Sequence, residues 1–220
     1  MLAHPVSFHA LPGLLTLSAL LLASADASAQ SGEPISWFVA DLRGSIAPFG
    51  QNQVLAVSRG FDPTLTPGTG LGLEAGAHVY VYRWRVITFG VGASFHTSVA
   101  DRSAKDTDPD PNGPILRKKF TAVAPQISLN FGGRNGWSYL SGGLGTSSQL
   151  SLFARNDEEP DQRRSNTVNY GGGVRWFVSE HLAFSLDLRF YAVSHLEPTD
   201  TEPGSPRMTV MIFSIGASFK

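Results

Sequence analysis

From Leu182 to Tyr191 the chain sets a large apolar side chain at every second position. Leu182, Phe184, Leu186, Leu188 and Phe190 alternate with Ala183, Ser185, Asp187, Arg189 and Tyr191. A repeat of two makes this a strand with one greasy face and one polar, charged face. In a water-soluble sheet the greasy face meets a second layer and the charges meet solvent. The same alternation recurs along the rest of the chain, with almost no helical segment to supply that layer. The arrangement that satisfies it is inverted: apolar side chains outward into lipid, charges inward into a closed cylinder of strands. The pattern constrains architecture and surroundings far more than it constrains activity.

The N-terminus bears on the same point. Leu14–Leu22 is an apolar run too short to cross a bilayer as a helix. It leads to Ala27-Ser28-Ala29, a small-x-small cleavage site. Residues 1–29 are therefore expected to be a secretory signal and residues 30–220 the exported domain. The segment before the apolar run departs from the usual signal in having no Lys or Arg, only His4 and His9. A retained N-terminal anchor is the alternative that the short apolar core disfavours. The chain of 220 residues has no cysteine, which excludes a lipoprotein anchor, a disulfide scaffold and thiolate metal sites. Its 17 Lys and Arg balance its 18 Asp and Glu once Asp26 leaves with the signal, so no basic excess points to nucleic acid. No later stretch is long and apolar enough to be a spanning helix. Of the 23 glycines, 13 fall inside apolar strand-like runs rather than in linkers, where they permit tight bending and close approach.

Eight strand-like runs follow the signal: Ile35–Ala47, Gly70–Tyr82, Val86–Thr97, Phe120–Phe131, Trp137–Leu150, Thr167–Val178, Leu182–Ser194 and Met208–Phe219. Most reach the roughly 9 to 11 residues that a tilted membrane strand needs. Helix is disfavoured throughout. The connections alternate in length. Pro48–Thr69, Ser98–Lys119, Ser151–Asn166 and His195–Arg207 are long and polar, whereas Arg83–Arg85, Gly132–Gly136 and Ser179–His181 are short. An up-and-down barrel with both termini on one side produces this rhythm, with long loops outside and tight turns on the periplasmic side. Asp157, Glu158, Glu159, Asp161, Arg163 and Arg164 make one long loop a solvated mixed-charge segment. Trp37, Trp84, Trp137 and Trp176 all fall at the short-turn end, where indole rings would form an aromatic girdle at the headgroup level.

The last run alternates Thr209, Met211, Phe213, Ile215, Ala217 and Phe219 against Met208, Val210, Ile212, Ser214, Gly216 and Ser218, and only Lys220 follows. This resembles the C-terminal signal of bacterial outer-membrane proteins, a terminal aromatic read by the barrel-assembly machinery, with Lys220 as a departure from the usual ending. The stretch Asn169–Tyr191 likewise resembles the penultimate hairpin of the OmpA-like or OmpX-like eight-stranded family. The resemblance covers that hairpin and the last strand; the other strands follow by pattern. It implies an integral barrel in the outer membrane of a Gram-negative-type cell. The partners it implies are outer-membrane lipid and lipopolysaccharide, the assembly machinery through Phe219, and an extracellular partner at the loops. The peptidoglycan-binding domain that follows the barrel in full OmpA-type proteins is not expected.

With aliphatics facing lipid, the inward groups can be named. Asp41 and Arg43 come from the first run, Glu74 and His78 from the second, Arg175 from the sixth, and Asp187 and Arg189 from the seventh; His96 on the third falls on the same side. An eight-stranded interior is just wide enough for side chains. Buried charges persist when paired and hydrogen-bonded, so the balanced set predicts an internal ion-pair network that fills the cylinder rather than a solute path.

Three other constellations have chemistry to offer. Asp106, Asp108, Asp110, Asn112 and Gly113 imitate the start of a calcium loop, but Arg117 stands where a bidentate Glu is needed. Ser194-His195 and His96-Thr97-Ser98 lie at the outer ends of two strands, where some outer-membrane lipid A hydrolases and acyltransferases keep Ser and His. Adjacent strand residues point to opposite faces, so adjacency does not make a nucleophile and base pair. Gly171-Gly172-Gly173 and Gly142-Gly143 lack the following Lys-Ser/Thr and helix of a phosphate loop. No catalytic, cofactor or metal site is therefore expected. The reading is an all-β, eight-stranded antiparallel up-and-down transmembrane barrel with a structural or loop-mediated surface role. Its rivals are a lipid-modifying enzyme, a small-solute channel, and a secreted lipocalin-type barrel; the polar inward positions and one-sided long loops argue against the last.

Overall fold

A computed structural model describes residues 33–50, 53–105, 108, 113–148, 151–154, 164–199 and 204–220. The expected signal, residues 1–29, lies outside them. Strand β1 (Phe38–Pro48) is followed by a short helix α1 (Gln53–Ser58), a 3-10 turn at Pro63–Leu65, and the hairpin β2 (Thr69–Trp84) and β3 (Ile87–Arg102). Then come β4 (Leu116–Gly133), β5 (Gly136–Ser148), a short β6 (Ser151–Ala154), β7 (Arg164–Phe177), β8 (Leu182–Val193) and β9 (Met208–Phe219).

Every neighbouring pair is antiparallel, and the sheet closes on itself. β1 pairs with β2 from Phe38↔Val79 to Pro48↔Thr69 and, on its other edge, with β9 from Ala40↔Phe219 to Ile46↔Phe213. β5 and β6 lie in sequence along β4, so the nine strands make a ring of eight staves. Closure removes the unpaired edges that an open sheet would present to lipid. The fold is an eight-stranded transmembrane β-barrel.

The outward face is the apolar one. On β4, Val123, Ile127 and Leu129 point outward, and on β5 Leu140 and Leu144 do, with Ile127 71% and Leu144 72% exposed to the surroundings of the barrel. β1 adds Leu42 and Ile46, and β9 adds Met211, Phe213 and Ile215. Above this band, on the long-loop side, outward positions turn polar at Thr97, Thr121, Thr146, Asn166 and Thr209. Below it, Trp37, Trp84 and Trp176 face outward at the short-turn rim. Trp137 does not join them. It is 2% exposed and points into the barrel, where it stacks on Phe177 with ring centroids 5.0 Å apart. The girdle expected of four tryptophans has three, because the parity of β5 sends position 137 to the same face as Tyr139 and Ser141.

Two further differences from the sequence reading have local causes. β3 and β4 run beyond the expected Thr97 and Phe120, to Arg102 and from Leu116. Their added register pair Asp101↔Arg117 carries a two-pronged ion pair, Arg117 Nε and Nη2 each 2.7 Å from an Asp101 oxygen, so charged residues continue the ladder above the membrane. The helix α1 forms where none was expected, its Leu55 and Ala56 buried in the mouth of the barrel.

Along β4 and β5 the register runs Val123↔Thr146 and resumes at Ile127↔Gly142. Pro125, which has no N–H to donate, sits in the skipped stretch.

Candidate functional site

The interior divides into a polar middle and two apolar closures. In the middle, Asp41 accepts from Arg175 Nε at 2.9 Å and Nη2 at 2.6 Å, and from Ser218 Oγ. Arg43 Nη2 lies 2.8 Å from Asp41, its Nη1 donates to Glu74 Oε1 at 3.0 Å and its Nε to Ser185 Oγ at 3.0 Å. Ser214 Oγ donates to the other Glu74 oxygen at 2.7 Å. On the facing wall Asp187 accepts from Tyr139 Oη at 2.5 Å and from Arg189 Nη2 at 3.0 Å and Nε at 3.2 Å. Arg189 continues to Ser141 Oγ and Asn169 Oδ1, and Gln126 Nε2 reaches both Asn169 Oδ1 and Ser94 Oγ. The Arg175 guanidinium lies 4.0 Å from the Tyr139 ring centre and so bridges the two halves.

All the inward groups expected from parity are buried here: Asp41, Arg43, Glu74, His78, His96, Arg175, Asp187 and Arg189. Each carboxylate meets at least one guanidinium in a bonded geometry, which is how ionised groups persist away from water. Glycine at the register position on the adjacent strand makes the room. A Cβ on Gly173 would sit 2.6 Å from Tyr139 Oη and 2.2 Å from Leu186 O, and one on Gly92 would sit 2.7 Å from the His78 ring.

Both ends are shut. At the short-turn end Ile35, Val39, Trp137 and Tyr139 cluster with Tyr80 and Phe177. Lys220 closes over them, its Nζ 3.7 Å from the Phe177 ring centre and donating to Arg134 O. Partial burial, and then the nearby Arg134 charge, lower the pKa of Lys220. At the long-loop end Leu55 and Ala56 of α1 join Phe49, Phe120, Tyr191, Val193, Val210 and Ile212. In the loop beside them, hydrogen bonds from Thr64 lower the pKa of Asp62. A neighbouring cleft of about 180 Å³ is lined by Phe61, Asp62, Leu65, Arg102 and Asp108.

The remaining sequence candidates separate. Asp106, Asp110 and Asn112 lie outside the described residues, as do Asp157–Arg163. Asp108 is held by Arg102 Nη2 at 3.1 Å and by the Lys105 amide at 2.9 Å, an arginine's partner rather than a cation ligand. His195 turns away to Glu197, 3.0 Å from its carboxylate, while Ser194 bonds through its backbone to Asn166 and Ser165. His96 and Ser98 do meet, Nε2 to Oγ at 3.1 Å, because positions two apart share a face. Both are buried on the inside of the wall beneath the α1 closure, and among the described residues His96 Nδ1 has no partner to orient it as a base. Lys118, Gln126, Tyr139 and Asn169 belong to the interior too. Carrying the alternation along β4, β5 and β7 would have found Gln126, Tyr139 and Asn169, whereas Lys118 falls in the stretch that reads as a long polar connection.

No protein-family signature and no curated protein matches this chain. Solved structures do. Neisserial surface protein A superposes with a TM-score of 0.55 at 13% identity, over 84% of this chain and 97% of that one. OprG of Pseudomonas aeruginosa gives 0.43 at 11%, over 86% and 97%. Ail of Yersinia pestis, in a bilayer nanodisc, gives 0.42 at 13%, over 84% and 99%. At this identity the likeness to Neisserial surface protein A is one of fold alone, a closed eight-stranded antiparallel barrel.

Proposed function

We propose that this chain is an integral outer-membrane barrel of a Gram-negative-type envelope. Its work is structural or is done at the surface through its long loops, without an open pore and without enzymatic chemistry. The observation that carries this reading is the interior: an ion-paired core filled across its width and shut at both ends by apolar clusters. A continuous solute path would have to break those pairs, and a hydrolase would need its Ser and His on the side that meets lipid. The apolar outer band above a tryptophan-bearing rim supports lipid and lipopolysaccharide as its surroundings. Phe219, outward on the last strand, supports delivery by the barrel-assembly machinery through that residue. The loops, which connect rigid staves outside the bilayer, are where a partner would bind.

Reconstitution tests the reading. Purified barrel in a planar bilayer is expected to give no stable conductance, and a deletion strain to keep an unaltered lipid A acylation pattern. Steady ohmic channels from the wild-type chain would overturn the closed interior, and a change in lipid A acyl number would restore the enzyme.

A further inference from the structure

Among the described residues, one cation in the closed mouth has no counter-charge. Lys118 lies on the inward face of β4 between Leu116 and Phe120, with Ala100 of β3 and Leu152 of β6 as its register partners. These neighbours are buried apolar side chains, and Lys118 itself is 0% exposed. Its Nζ donates to Gly50 O at 2.8 Å. An ammonium has three protons to give, and among the described residues no carboxylate lies within ion-pair reach of it. The interior acids Glu74 and Asp187 are already held by arginines and hydroxyls. A neutral donor would serve the Gly50 carbonyl equally well without the desolvation penalty of a buried charge. Tethering the loop therefore does not account for a lysine.

The residues around Lys118 form an apolar cup, and the group now filling it is short. α1 has only six residues, Gln53–Ser58, and it inserts Leu55 and Ala56 while Val54 and Val57 stay exposed. A helix that short has little stability of its own. The cup thus pairs greasy walls with one spare positive charge, held from above by a segment that is marginal alone.

We propose that the extracellular mouth binds a small amphipathic anion, a medium-chain carboxylate in chemical class, with its acid group on Lys118 and its chain in the place that Leu55 and Ala56 occupy in the closed form. The site faces the lumen, so the ligand arrives from the aqueous side and not from the surrounding bilayer. The inference stands independently of the surface-contact role, since a loop-bound partner would neither need nor touch Lys118.

The test uses the full barrel in dodecyl maltoside micelles with decanoate as probe and decanol as its uncharged control. The readout is the unfolding midpoint of the heat-modifiable band on gels. Decanoate is expected to raise the midpoint at least twice as far as the same concentration of decanol. Lys118→Met, which keeps the length and removes the charge, is expected to bring the decanoate response down to that of decanol. Leu55→Ala, which shortens the resident side chain, is expected to lower the half-saturating decanoate concentration at least threefold. Equal responses of the wild-type barrel to decanoate and decanol would overturn the proposal without reference to any variant. So would a decanoate response that survives Lys118→Met.

Discussion

At the scale of single residues, the barrel interior is a problem in charge placement. Arg175 gives two hydrogen bonds to Asp41, and Arg189 gives two to Asp187. Removing one member leaves the other buried with fewer partners, which typically costs about 3–5 kcal/mol. Arg175→Leu and Asp187→Leu are each expected to lower the urea midpoint of the heat-modifiable band by an amount of that order. Unchanged midpoints in both would remove the network from any account of stability. Space is as constrained as charge. Gly173→Ala would drive a methyl against the Leu186 carbonyl, which is backbone and cannot step aside, whereas a Cβ on Gly68 meets nothing within 4 Å. The first is expected to abolish the folded band and the second to leave it unchanged. These inward charges were legible from parity alone, since Asp and Arg at alternate positions of an otherwise apolar strand have one sensible direction. The lone cation was not. Lys118 sits among Arg117 and Lys119 in a stretch that reads as charged loop, and only the extended register of β4 with β3 and β6 turns it inward.

At the scale of elements, what decides is whether hydrogen bonding or side-chain burial sets the boundary. Apolar alternation located all eight staves, but it stopped short wherever a ladder continues in polar residues, as at Asp101 and Arg117. It also missed α1, because two buried side chains on a six-residue helix leave no recognisable period. Each of these elements carries a prediction. Pro125 occupies the stretch where the β4–β5 register is skipped. Pro125→Ala supplies an N–H in that stretch and is expected to stabilise the barrel by about 0.5–1.5 kcal/mol, the usual net value of one bond, measured as a raised urea midpoint. A lowered midpoint would mean that the proline ring packs to better effect than the bond. For α1 the question is whether it is the gate to the upper interior. The chain has no cysteine, so Ser98→Cys introduces a single thiol beneath the closure. A membrane-impermeant maleimide added outside is expected to label it slowly in the closed barrel. Labelling should be at least tenfold faster when Leu55→Asp makes burial of the helix unfavourable. Equal rates would show that α1 does not control access.

At the scale of the whole molecule, the fold is an inversion held by its solvent. Residues that would form a core in water, such as Leu42, Leu73, Ile127, Leu144 and Phe213, are exposed on the outside of the barrel, and Asp41, Arg43, Glu74, Arg175, Asp187 and Arg189 are enclosed within it. Among the described residues nothing covers that outer band, so the free energy of burying it must come from acyl chains or detergent tails. Two consequences follow from the same geometry. The polypeptide is expected to fold from urea into dodecyl maltoside micelles, as read by a band that shifts on heating, and to aggregate when diluted into buffer alone. On intact cells, external protease is expected to cut within the long connections that lie between β3 and β4 and between β6 and β7. The β2–β3 and β4–β5 turns should be spared, because they lie behind the bilayer. The staves are paired all the way round from β1 to β9 and back to β1, so the nicked barrel should still migrate as one compact band until it is boiled. Cutting at Arg85 or Arg134 from outside would place the short turns at the surface and reverse the orientation. A monodisperse folded species in plain buffer would contradict the inversion itself, since a lipid-facing band of this composition cannot remain hydrated and unassociated.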